Sequence, residues 1–98
     1  MKNVKILLGT IILFSVFAIS CQKAANPNFT YSQNGLGAVN FTNTSSNASS
    51  YTWSFGDGSG STQTSPSHTY SSTGTYTVTL TANGSGGSGT NSQSISVQ

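Results

Sequence analysis

From Phe29 onward the chain alternates apolar and small polar residues with a period of two, and glycines punctuate the alternation. The clearest runs are Tyr51-Thr52-Trp53-Ser54-Phe55 and Tyr76-Thr77-Val78-Thr79-Leu80. A period of two sends every second side chain to the same face of an extended strand, whereas a helix needs apolar residues three and four apart. No stretch of this region has helical spacing. The chain beyond its N-terminal segment is therefore committed to strands that bury one face each.

Phe29 and Tyr31 mark a first short strand, and Asn34-Gly35-Leu36-Gly37 reads as a turn. Val39 and Phe41 alternate in a second strand, closed by a loop from Asn43 to Ser50. Tyr51, Trp53 and Phe55 share one face of a third strand, which Gly56-Asp57-Gly58-Ser59-Gly60 ends. The segment Ser61 to Tyr70 contains Pro66, which cannot donate to a ladder, so only short edge pairing is expected there. Gly74 precedes the strongest strand, with Tyr76, Val78 and Leu80 inward. Asn83 to Gly89 reads as a flexible hairpin loop, and Ser92 to Val97 as the last strand. Six or seven short strands at this spacing predict an all-β sandwich of two antiparallel sheets. Its expected core is Val39, Phe41, Trp53, Phe55, Tyr76, Val78, Leu80, Ile95 and Val97.

Three motifs add a family likeness. Trp53-Ser54-Phe55-Gly56-Asp57-Gly58, then His68-Thr69-Tyr70, then Gly74-Thr75-Tyr76 leading into Val78 and Leu80, occur in this order. The set closely resembles the signature of the PKD (polycystic kidney disease) domain, an immunoglobulin-like β-sandwich of about this size. The resemblance covers most of the chain beyond the first two dozen residues. It implies structural roles for Trp53, Phe55, Gly56, Asp57, Gly58, His68, Tyr70, Gly74 and Tyr76.

Charge excludes whole classes of partner. Beyond Ser20 only Lys23 and Asp57 carry fixed charge, and the chain has no arginine. A phosphate-binding surface needs clustered Lys and Arg, so nucleic acid is not an expected partner. Ser, Thr and Asn supply 38 of the 78 residues from Cys21 onward, a richness that would suggest disorder if aromatics were absent. Eight aromatic residues from Phe29 to Tyr76 argue instead for polar sheets around a thin aromatic core.

The N-terminal segment has the parts of an export signal. Lys2 and Lys5 precede an apolar run from Ile6 to Ile19, which at 1.5 Å per residue spans about 21 Å, short of the ~30 Å hydrocarbon core. A cleaved signal over residues 1–20 is expected in preference to a membrane-spanning helix. Ala18-Ile19-Ser20 suits an ordinary signal peptidase, and Ala18-Ile19-Ser20-Cys21 also resembles a bacterial lipobox, with Ala18 in the usual place of leucine. Both readings break the bond after Ser20. Cys21 is the chain's only cysteine, so it cannot form an internal disulfide, and it lies where lipid attachment requires. Lipidation is the preferred reading, with residues 21–27 as a lipidated tether and 28–98 as the folded domain. The likeness to lipoproteins implies a cell-envelope location, and Gln22 after the cysteine fits delivery to an outer membrane.

The residues able to carry chemistry are few. Asp57 is the only acid and His68 the only histidine. An aspartate between two glycines suits a tight turn, where its carboxylate accepts backbone N–H groups. Calcium prefers several carboxylates and zinc three or four protein ligands, so neither metal nor other cofactor is expected. Some PKD domains bind calcium, but Ser54 stands where many members have Asp. Asp57, His68 and a serine have the composition of a nucleophilic triad, yet Gly-x-Ser-x-Gly is missing and a small sandwich has little room for a pocket. Catalysis is not expected. Tyr31, Tyr51 and Tyr70 are candidate ligand contacts if they face water, or core and rim residues if they do not. The leading functional expectation is a non-enzymatic, lipid-anchored envelope protein that mediates protein contact or adhesion. A polysaccharide-binding module using exposed tyrosines is the alternative, and a passive structural spacer is the third.

Overall fold

The structure, a computed structural model, describes residues 22–98. The expected signal segment and Cys21 lie outside the described residues. Seven strands follow in order: β1 (Phe29–Gln33), β2 (Ala38–Asn43), β3 (Ser50–Ser54), β4 (Gly60–Ser61), β5 (Ser67–Thr69), β6 (Gly74–Gly84) and β7 (Gly87–Val97). They form a three-stranded sheet in the order β1-β2-β5 and a four-stranded sheet in the order β4-β3-β6-β7. All the pairings are antiparallel. The expected all-β, immunoglobulin-like sandwich is the observed architecture.

The alternation that defines the strands also fills the interior. Val39 and Phe41 of β2, Trp53 of β3, Val78, Leu80 and Ala82 of β6, and Ile95 and Val97 of β7 are all buried. Trp53 sits at the centre, 5.0 Å from the ring of Phe29 in an edge arrangement and 5.3 Å from that of Phe41. Its indole Nε1 donates to the Gln63 carbonyl at 2.9 Å, which satisfies the one polar atom that burial would otherwise strand. Pro66 is buried between β4 and β5, where the chain crosses from one sheet to the other. That segment pairs only briefly on each side, as its proline predicts.

Four sequence expectations need correction. Phe29 and Tyr70 belong to the core although the alternation did not place them there, and Tyr76 is only partly buried against it. The region 83–89 is not a flexible loop. β6 and β7 run through it in continuous register as far as Gly84↔Gly87, leaving a two-residue turn. Its glycines allow close approach: a Cβ on Gly86 would collide with the carbonyl of Lys23. The tether read over 21–27 is packed from Ala25 onward. Ala25 and Pro27 are buried, the Ala25 N–H donates to the Gly87 carbonyl at 3.1 Å, and Asn26 forms a bridge with Ser46. Small residues on both sides permit this contact, which an apolar pattern could not announce.

The two sheets are also joined along one side by amide side chains. Asn91 and Gln93 occupy the inward positions of β7 that precede Ile95 and Val97. Asn91 Nδ2 donates to the Pro27 carbonyl at 3.2 Å, and Gln93 Nε2 to the Phe29 carbonyl at 2.7 Å. Gln33 of β1 returns the contact, with Nε2 donating to the Ser96 carbonyl at 2.6 Å. These bonds satisfy backbone carbonyls of Pro27, Phe29 and Ser96, on both sides of the seam between β1 and β7.

Replacing Trp53 by alanine removes the ring that touches both sheets. The expected loss is about 3–5 kcal/mol, a large part of the stability of so small a domain. Urea denaturation of purified protein measures it, and an unchanged midpoint would contradict the placement of Trp53 at the centre of the core.

Candidate functional site

The chemistry-bearing residues meet at the turn after β3. Gly56 begins this turn with φ +85°, and a Cβ there would lie 2.5 Å from the Thr77 carbonyl, so only glycine fits. The turn closes with Phe55 N–H donating to the Ser59 carbonyl at 3.0 Å. Asp57 Oδ1 accepts the Ser59 N–H at 3.1 Å and the Ser59 hydroxyl as well. Its other oxygen, Oδ2, receives His68 Nε2 at 2.7 Å from across the sandwich. The motif's one acid and its one histidine are therefore partners of one another.

This pairing has a definite electrostatic result. The Ser59 hydroxyl holds the Asp57 carboxyl down to about 2 against the opposing effect of desolvation, with further help from the His68 ring and the Ser59 N–H. His68 lies flat on Phe55, with ring centroids 4.3 Å apart, and meets the Tyr70 ring edge-on at 4.6 Å. Tyr70 is buried and donates its hydroxyl to the Phe55 carbonyl at 2.7 Å. Burial pushes its phenol up to about 12. Tyr76 stacks on Tyr70 at 4.2 Å and donates its own hydroxyl to the Ser72 carbonyl at 2.8 Å. The sequence motifs thus converge on one corner of the fold.

Asp57, Ser59 and His68 contain the side-chain types of a triad but not its geometry. A triad presents one imidazole nitrogen to the carboxylate and the other to the hydroxyl. Here Ser59 Oγ lies 3.1 Å from Nε2, the same nitrogen that faces Asp57. The serine proton is directed at the carboxylate, so the imidazole is not placed to withdraw it. Among the described residues, no group of three or more His, Cys, Asp or Glu side chains could hold a metal ion. The cluster is built as a staple between β5 and the turn after β3.

The tyrosines proposed as ligand contacts separate. Tyr70 is an interior residue, stacked on Tyr76 and with its hydroxyl given to the Phe55 carbonyl. Tyr51 is partly buried against the core. Tyr31 is 38% exposed and leans on Phe41 at the open side of β1. Leu36, which the sequence marked only as part of a turn, is 97% exposed with φ +53°. Its exposure has no sequence signal, since one leucine between glycines resembles any turn filler.

The corner just described is where the family likeness lies, and the PKD domain family model matches residues 37–98. The chain belongs to the PKD domain family. Two solved PKD structures match nearly their whole length. The PKD1 domain of Vibrio anguillarum Epp is 33% identical, with a TM-score of 0.72 over 79% of this chain and 96% of that one. The PKD1 domain of the Vibrio cholerae metalloprotease PrtV is 38% identical, with a TM-score of 0.69 over 78% of this chain and 99% of that one. A third structure, from carbohydrate-binding modules of the β-sandwich superfamily with promiscuous specificity, is 27% identical with a TM-score of 0.68. The match spans 79% of this chain but only 35% of that one. No curated protein matches the chain. PKD domains are generally non-catalytic modules.

The Asp57 staple predicts an acid-sensitive contribution to stability. A carboxyl lowered from 3.8 to about 2 stabilises the fold above pH 4, and that contribution is lost as pH falls through 2. Solvent screening at this surface position reduces it to about 1 kcal/mol. Asp57→Asn should therefore be less stable than the parent near neutral pH, and the gap should close between pH 4 and 2. A gap independent of pH would contradict the role of the ionised carboxylate in the turn.

Proposed function

We propose that this PKD protein is a non-catalytic contact module of the bacterial cell envelope, held through lipid on Cys21 and engaging a protein partner at its far end. The observation that carries the reading is Leu36. Its side chain is 97% exposed on a backbone with φ +53°, a conformation that costs a non-glycine residue on the order of 1 kcal/mol. Backbone strain that presents an apolar side chain to water is an arrangement found at recognition sites.

The polarity of the sandwich gives that leucine a direction. The N-terminal segment packs beside Gly87 and Ser46, at the end that holds the β6–β7 turn and the 43–50 loop. The Asn34–Gly37 turn, the Ser71–Thr73 segment and Gln98 lie together at the other end, where they line a shallow and mainly apolar groove. An anchor at Cys21 therefore puts the sandwich between the membrane and Leu36. Several acyl chains, each buried CH₂ contributing about 0.8 kcal/mol, would hold such a protein firmly. Gln22 directly after the lipidated residue favours the outer membrane.

Polysaccharide binding stands as a second reading because of Tyr31 and the carbohydrate-binding neighbour. With Tyr70 buried and Tyr51 on the other sheet, it would rest on one ring rather than a platform.

The test uses the full chain in bacterial cells. The parent protein should partition into the detergent phase and Cys21→Ser into the aqueous phase. A photo-crosslinker at Thr73, beside Leu36, should yield a protein adduct that Leu36→Asp abolishes. Adducts indifferent to Leu36→Asp would contradict the proposal. Saturable sedimentation with one polysaccharide, lost in folded Tyr31→Ala, would replace it with the glycan reading.

A further inference from the structure

The two sheets of this sandwich end in four edge strands, β4, β5, β1 and β7, and three of them are short. β4 has two residues and β5 three, too short to template another strand. β1 has five residues, and amide side chains of Asn28 and of β7 take up backbone groups at its start. The Phe29 N–H is held by Asn28 Oδ1 at 3.0 Å, the Phe29 carbonyl by Gln93, and the Pro27 carbonyl by Asn91.

β7 differs. It has 11 residues, no charge and no proline, and it lies at the edge of the four-stranded sheet. The two-residue turn makes Gly84 and Gly87 the hydrogen-bonded pair that closes the hairpin. Alternate residues of an antiparallel strand direct both backbone groups to the same side. Gly89, Asn91 and Gln93 therefore bond to β6, while Ser88, Thr90, Ser92 and Ser94 turn N–H and C=O toward the open side. Among the described residues, hydrogen bonds from outside the ladder reach β7 backbone from Ala25 to Gly87 and from Gln33 to Ser96, and the Ala24–Pro27 segment lies against Gly87 and Gly89; none reaches Thr90, Ser92 or Ser94.

We infer that the β7 edge pairs with the β7 edge of a second copy of this chain, joining two four-stranded sheets antiparallel about a two-fold axis. Such a contact is self-complementary, as a two-fold interface must be. Centring the axis on Asn91 sets Ser88 opposite Ser94 and Thr90 opposite Ser92, all with free backbone groups. No charge opposes another in this register, because none is present on β7. On the outer face the pairing meets hydroxyl with hydroxyl, a contact the sheet already makes where Thr79 Oγ1 and Ser92 Oγ lie 2.8 Å apart. A second copy is the favoured occupant because both edges of the pair then lack the guarding charges that normally prevent it.

Sedimentation equilibrium of residues 22–98 tests the inference, since the two Vibrio PKD1 structures are of the domain by itself and match nearly end to end. The mass should approach twice that of the monomer as concentration rises toward about 1 mM. Ser92→Pro removes an N–H from the open side and leaves the β6 ladder intact, so it should return the mass to that of the monomer. Ser92→Lys, which puts like charges near each other across the axis, should do the same without any change of backbone. Melting curves establish that both variants are folded. A monomer at every concentration overturns the proposal and leaves the edge to a foreign strand. A dimer that persists in both folded variants also overturns it, by placing the contact on another surface.

Discussion

The hydroxyl of Tyr70 donates to the carbonyl of Phe55 across 2.7 Å of the interior, and the arrangement of the sandwich depends on this bond. Tyr70 follows β5 in one sheet and Phe55 follows β3 in the other, so the contact ties the sheets at the corner where neither has a ladder to the other. The Tyr70 N–H is held by the Gly37 carbonyl at 2.9 Å, which fixes the start of β2 to the same point. His68 and Tyr76 enclose the ring from two sides. The Asp57 pair then closes the surface of the corner, and the turn through Gly56 reaches the position from which Asp57 can do so. The family's scattered motifs are parts of one joint.

A domain with almost no charge has to control its edges and its termini by other means. Here side-chain amides take the place of lysines. Gln33, Asn91 and Gln93 fill backbone groups of the two edge strands, and they bring β1 and β7 together as they do so. The protection is confined to β1 and the ends of β7, which leaves the centre of β7 open. The N-terminal segment adds its own tie, because the contact of Ala25 with Gly87 gives the chain a defined point of entry. The chain thereby enters at one end of the molecule, and Leu36 lies at the other.

Much of the fold was legible because it follows from alternation. Val39, Phe41, Trp53, Val78, Leu80, Ile95 and Val97 are apolar residues in a polar background, and each faces the core as its spacing predicts. The sheet assignment of the short middle segment was less legible, but Pro66 limited it to brief pairing. The sequence was silent where the structure uses polar or small residues for interior work. Asn91 and Gln93 drew no expectation, because nothing in an amide announces an inward bond. Asn83 to Gly89 read as flexible, although glycine also serves wherever another backbone must come close. In the candidate site, the motif identified Asp57, His68 and Tyr70 but not their mutual contacts, since the partners are far apart in sequence. Leu36 was invisible as a surface feature, because its exposure depends on a left-handed backbone rather than on residue type.

The bond between Tyr70 and Phe55 can be tested by removing a single oxygen. Tyr70→Phe keeps the ring and its stacking but leaves a buried carbonyl without its donor, a change expected to cost about 1–3 kcal/mol. Equilibrium urea unfolding of Tyr70→Phe against the parent measures this loss directly. A midpoint lowered by that amount with an unchanged slope would confirm that the hydroxyl joins the two sheets. A midpoint equal to the parent's would show that the sandwich holds without the bond, and the account of the corner as its joint would fail.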